Sequence, residues 1–126
     1  MSNPITTSSL ISGHIDIILL KIISLEDGYG YSISKTISQI TGGNSEIKEA
    51  TLYSGLRRLE AEKLIASYWG DESQGGRRKY YTLTQAGTES LAENIVKWEM
   101  TKEIMDRILQ FKISKEDNDY DKSRQN

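Results

Sequence analysis

The stretch "GDESQGGRRKYYTLT", residues 70–84, sets three cations, Arg77, Arg78 and Lys79, directly behind two glycines, Gly75 and Gly76. Three adjacent cations repel one another unless an anion neutralises them, and a strand built only for packing would alternate polar with apolar positions. Glycines at a hairpin tip leave no side chain between the backbone and a phosphate or a minor-groove floor. The chemistry on offer is the binding of a polyanion. A basic edge that merely keeps sheets from aggregating is the simpler alternative. Tyr68, Trp69, Tyr80 and Tyr81 fit cross-strand packing better than base stacking.

A second surface of the same kind lies just upstream. Leu52, Leu56 and Leu59 recur at helical spacing, which predicts a helix over about 47–62 with Ser45 as its cap. The opposite side then carries Thr51, Tyr53, Ser54, Arg57 and Arg58, with Lys48 near its start. Short hydroxyls let a helix sit close to a groove floor, while tyrosine and arginine reach phosphates or base edges. For Thr51 and Ser54 taken alone, a solvated helix face explains as much.

Trp98 is the third residue with chemistry to offer. On a terminal helix it is first a core or dimer contact. If two such helices meet across a symmetry axis, the paired indoles form a flat slot for planar ligands, cationic ones included, through stacking and cation–π attraction.

The elements that must position these residues follow from periodicity. Residues 9–26 read as one helix capped by Ser8 or Ser9, apolar on every side at Ile17-Ile18-Leu19-Leu20. Such a helix needs several neighbours, from its own core or from a second subunit. "DGYGY" (27–31) is a turn whose glycines are available for positive φ, and 31–41 is a second helix with Ile33, Ile37 and Ile40 inward. "GGNSE" ends it. Residues 64–70 and 77–83 form a hairpin, and Thr84 caps a last helix running to about 111. That helix carries Leu91, Ile95, Trp98, Met105 and Leu109, with Ile104, Ile108 and Phe111 beside them. The interval of seven from Leu91 through Trp98 to Met105 suits a packed helix pair. Its acids Glu89, Glu93, Glu99 and Glu103 lie among Lys97 and Lys102 and read as surface pairs.

Composition bounds the function. The 126 residues are enough for a small core, and 16 basic against 18 acidic side chains (net charge −2) exclude a uniformly basic coat. With no cysteine and one histidine, His14, neither disulfides nor thiolate or histidine-rich metal sites can form. No Gly-rich phosphate loop, nucleophile elbow or metal motif is present, so neither an enzyme nor a bound cofactor is expected. The start, "MSNPITTSSL", lacks the order of a secretory signal, and the apolar run "IDIILLKII" is nine residues, too short to span a bilayer. A cytoplasmic protein without membrane contact is expected.

The fold class expected is mainly α (α+β): a winged helix-turn-helix over residues 9–83, including the N-terminal helix, a C-terminal dimerisation helix over 84–111, and a disordered tail over 112–126. The pieces "GYGYSI" (28–33), "ATLYSGLRRLEAEKLI" (50–65) and "GGRRKYYTLTQAG" (75–87) resemble the PadR family of bacterial transcriptional regulators, in particular its short-helix branch. The resemblance implies a homodimer whose last helix packs on the first and last helices of its partner. It also implies repression at a pseudo-palindromic operator in double-stranded DNA, often that of a drug-efflux transporter, with a stress gene as the other candidate target. DNA contacts would then fall to Lys48, Thr51, Tyr53, Ser54, Arg57, Gly76, Arg77, Arg78 and Lys79. In multidrug-sensing members, the positions matched by Leu10, Asp16, Ile17, Ile95 and Trp98 line a central pore that binds planar aromatic effectors. Three departures stand out. Lys63 occupies a position where the family has a left-handed glycine, a strain of about 1 kcal/mol. Ile95 and Lys102 replace an aromatic and an acid beside the slot. The rival reading is a winged-helix module that binds a ligand or a protein and never touches DNA.

Overall fold

Residues 9–26 do not form one helix. In the computed structural model, which describes residues 5–43, 47–70 and 76–114, they divide between α1 (Thr7–Ser12) and α2 (Ile15–Leu25). The cap is Thr6, not Ser8 or Ser9. Its Oγ1 accepts from the Ser9 N–H at 3.0 Å, and Ser9 Oγ accepts from the Thr6 N–H at 3.0 Å. The break falls at Gly13 and His14. Glycine is the weaker helix former, and the His14 N–H turns to the Ile11 carbonyl at 2.9 Å, a tightened turn that ends α1. Ser45, Gly75 and the expected tail beyond Ser114 lie outside the described residues.

Helix α2 is the centre of the core. Leu19, Leu20 and Ile23 are almost wholly buried within the single chain, against α3 (Gly30–Ile40), α4 (Glu49–Ala61) and the sheet. Its all-round apolarity therefore needs no second subunit at those positions. On α3, Ile33 and Ile37 point inward as expected, but Ile40 is exposed. It is the last residue of its helix, and the chain turns away through Gly42 and Gly43, both at positive φ. The Gly43 N–H reaches the Ser38 carbonyl (2.9 Å) and the Gly42 N–H the Gln39 carbonyl (3.2 Å), a Schellman stop.

Leu52, Leu56 and Leu59 of α4 are buried, and α4 approaches α2 closely at Gly55. A Cβ there would lie 2.8 Å from Leu19 Cδ1, so the helix contact depends on a missing side chain. Strands β1 (Ile65–Trp69) and β2 (Lys79–Leu83) pair antiparallel, Ile65 opposite Leu83 and Trp69 opposite Lys79. Gly28 adds a bridge to the free side of β2, exchanging both backbone hydrogen bonds with Tyr81 at 3.2 and 2.8 Å. Neither Gly28 nor Gly30 has positive φ, contrary to the turn reading. They serve pairing and close packing instead.

Thr84 caps the long helix α5 (Gln85–Gln110) as expected: its Oγ1 accepts from the Gly87 N–H at 3.0 Å. The chain forms two compact units, residues 1–95 and 96–126, so the boundary falls inside α5. The first contains the core. In the second, Met100, Ile104, Met105, Ile108, Leu109 and Phe111 are all exposed in the single chain.

Lys63 has φ 63°, the left-handed conformation that the family glycine implied. It closes α4 in a second Schellman stop, with the Leu64 N–H on the Leu59 carbonyl and the Lys63 N–H on that of Glu60, both at 3.0 Å. A lysine Cβ at that φ is strained by about 1 kcal/mol. Lys63→Gly should therefore raise the melting temperature by about 4 °C in thermal unfolding followed by circular dichroism. An unchanged or lower value would show that Lys63 is not strained.

Candidate nucleic-acid interface

With its leucines inward, α4 presents Lys48, Tyr53, Ser54 and Arg57 to solvent and leaves Thr51 half-buried. Arg58 departs from the expected face. It turns to α2, where Nε donates to Asp16 Oδ2 at 3.3 Å and Nη2 pairs with Asp16 Oδ1. The hydrogen bond and charge of Asp16 push the Arg58 pKa further up. Both side chains are nearly half exposed, so the pair adds less than about 1 kcal/mol of stability. Its effect is to hold one flank of α4 to α2. Asp16, expected in a ligand pore, has its carboxylate engaged in that pair.

The other flank faces the β1–β2 hairpin, the wing. Of the three cations expected on a strand, only Lys79 lies in β2. Arg77 and Arg78 precede it, although the Gly70 N–H donates to the Arg78 carbonyl at 2.7 Å and carries the pairing one step further. Each of the three cations lies against an aromatic ring. The Arg77 guanidinium sits 5.3 Å from the Trp69 ring centre, and that of Arg78 4.6 Å from Tyr29. Arg78 Nη1 also donates to Tyr29 Oη at 3.0 Å. Lys79 Nζ lies 5.6 Å from the Tyr81 ring and 3.4 Å from Glu60 Oε1. A ring quadrupole attracts the cation without neutralising it, so the positive field of the wing persists. Gly76 has φ +87° and open space where a Cβ would stand, as a hairpin tip approaching a surface requires.

Tyr29 was missed by sequence reasoning. It precedes Gly30 at the start of α3, and its ring packs edge-on against Tyr80 (5.4 Å between centres), which in turn stacks on its cross-strand partner Tyr68 at 5.6 Å. Gly30 then seats Tyr53: a Cβ at Gly30 would lie 2.1 Å from the Tyr53 hydroxyl oxygen. The result is an open cleft of about 430 Å³ between α3, α4 and the wing, lined by Tyr29, Tyr53, Arg57, Arg78 and Lys79. Four residues predicted from two separate motifs meet there. The signal for the fifth was the GYGY pattern itself, whose second glycine could have been read as the seat of a neighbouring ring.

The expected ligand residues fall on three helices. Leu10 is exposed on α1, Ile17 is half-buried on α2, and Ile95 and Trp98 lie three apart on α5, both largely exposed. Lys102, which stands where a multidrug-sensing relative has an acid, pairs with Glu99 at 2.9 Å, so its charge is partly offset.

Residues 19–93 match the profile of the "Transcriptional regulator PadR-like family". The chain belongs to that family. It is 46% identical over 103 residues to "Uncharacterized protein X" of Lysinibacillus sphaericus, covering 82% of this chain and 94% of the relative. It is 33% identical over 91 residues to "Transcriptional regulator YqjI" of Escherichia coli; there the match covers 72% of this chain but 42% of the longer relative. Among solved structures, a transcriptional regulator from Clostridium thermocellum superposes with a TM-score of 0.75 at 38% identity, covering 84% of this chain and all of that one. A PadR family regulator from Clostridium difficile gives 0.66 at 40% identity, covering 77% and 99%. PadR-like proteins are DNA-binding transcriptional regulators rather than enzymes, and the winged helix described above is their fold. Among the described residues no helix is long and apolar enough to cross a membrane.

Glu60 ties this PadR-like interface to the sheet. A hydrogen bond from Ser67, then the charge of Lys79, hold its pKa below the usual carboxylate value against partial desolvation. A depressed folded pKa contributes stability above the unfolded pKa and loses it as pH falls through the folded value. The stability gap between wild type and Glu60→Gln, measured by urea unfolding, should be full at about pH 7 and shrink below about pH 4. A gap that widens on acidification would contradict this assignment.

Proposed function

We propose that the protein is a homodimeric, ligand-responsive repressor. Helix α4 enters a major groove, the wing grips the backbone or the adjacent minor groove, and the dimer spans a pseudo-palindrome with half-sites about 34 Å apart. The observation that carries this reading is the convergence of Tyr53 and Arg57 from α4 with Arg78 and Lys79 from the wing on one cationic cleft. A chain of net charge −2 that gathers its cations there is suited to a local polyanion contact.

Dimerisation is supported by the second compact unit. A helix exposing Met100, Ile104, Met105, Ile108, Leu109 and Phe111 leaves an apolar surface that a second copy would cover. The paired α5 helices would bring Trp98 near its symmetry mate, and Leu10, Asp16, Ile17 and Ile95 are the other pore positions proposed. In this respect the chain resembles the multidrug-sensing repressor LmrR, and control of an efflux transporter or stress gene is the corresponding role. An inducer acts by preferring the dimer geometry that fits DNA poorly.

Three outcomes test the proposal. Binding to the DNA upstream of its own gene should weaken with salt at a log–log slope near −5, for about six phosphates contacted. A flat response would leave the module that never touches DNA. For the dimer and its slot, Ile108→Asp should convert a dimer to a monomer in sedimentation. Trp98→Ala should abolish binding of planar dyes while keeping operator affinity within about tenfold. Dye binding that survives Trp98→Ala removes the slot.

A further inference from the structure

The cleft between α3, α4 and the wing carries more cation than its own carboxylates offset. Among the described residues, Lys79 alone of the lining cations has an acidic partner, Glu60. Among the described residues, Arg57 and the Tyr53 hydroxyl take part in no hydrogen bond or ion pair. Arg78 is held by a ring and a phenol rather than by a carboxylate. That phenol, Tyr29 Oη, accepts from Arg78 and still has its own hydrogen to donate. Two guanidinium groups and two phenols from three elements therefore converge on a space that no carboxylate lines among the described residues. Their chemistry matches a phosphodiester, whose oxygens accept from arginine forks and hydroxyls together.

We propose that this cleft seats a single backbone phosphate of the DNA, gripped from α4 by Tyr53 and Arg57 and from the wing by Arg78, with Tyr29 positioning Arg78. The inference rests on the DNA-binding reading above and names one contact within it. Its consequence is mechanical. One phosphate joins the groove-reading helix to the wing, so the two bind as a unit. Tyr29 positions Arg78 and keeps its own hydroxyl hydrogen for the phosphate. Its ring is fixed by Tyr80 and its hydroxyl by the guanidinium, which holds the fork above the cleft before DNA arrives. Pre-ordering a long side chain in this way removes entropy that binding would otherwise cost.

The experiment replaces single phosphates of the bound DNA with uncharged methylphosphonates, one linkage at a time. Wild type, Tyr29→Phe, Arg57→Ala and Arg78→Ala are compared. At one linkage per half-site, neutralisation should cost the wild type about tenfold in affinity and cost Arg78→Ala or Arg57→Ala little more than their own loss. The salt slope of either arginine variant should fall by about 1 per half-site. Tyr29→Phe keeps the ring and its packing, so it should melt like the wild type yet lose part of the effect at that linkage alone. If the wild type binds DNA but every linkage costs all four proteins equally, the phosphate seat is wrong and the DNA-binding reading stands. Absence of salt-dependent DNA binding by the wild type would remove both.

Discussion

The interface depends on the contact of α4 with α2. Gly55 lets the two helices close until Leu19 fills the space a Cβ would take, and Leu52, Leu56 and Leu59 complete the buried side. Because that side is buried, the rotation of α4 is set, and its remaining residues have no freedom over which way they look. Arg58 braces one flank against Asp16, while Tyr53 rests on Gly30 along the other. An added methyl at Gly30 would force Tyr53 to move. The exposed face of this helix is thus specified mostly by what lies behind and beside it.

The wing faces the opposite problem. It is a two-stranded hairpin with little core of its own, and such hairpins are marginal in isolation. Here it is supported by the Gly28 bridge, by stacked tyrosines and by Glu60, which holds both Ser67 of β1 and Lys79 of β2. Aromatic support has a second effect on charge. Carboxylates beside Arg77 and Arg78 would have cancelled the field that a polyanion meets. Rings hold the cations in place and leave the field outward.

Much of this was legible in the chain. The leucine spacing of α4, the hairpin, the Thr84 cap, the stop at Gly42 and Gly43 and the left-handed Lys63 all follow from local rules, through periodicity, capping, the steric limits on φ or a motif match. The features that escaped are of two kinds. One is competition between near-equal local choices: Thr6 against Ser8 or Ser9 as a cap, and a helix that breaks at Gly13 although its apolar pattern continues. The other is long-range pairing, which no local pattern encodes. Arg58 and Asp16 are 42 residues apart, and Arg78 and Tyr29 are 49 apart. Glycines at 28 and 30 suggested unusual backbone angles, whereas their use is steric: one pairs with β2 and the other seats a ring.

The central claim is that one continuous face, made from α4 and the wing, meets DNA. Backbone amide NMR shifts recorded as upstream DNA is added test it most directly. The account predicts that the largest changes fall on Tyr53, Ser54, Arg57, Gly76, Arg77, Arg78 and Lys79, with Leu19 and Leu20 in the core nearly unmoved. Changes confined to residues 96–111, or none at DNA concentrations that saturate binding, would contradict it.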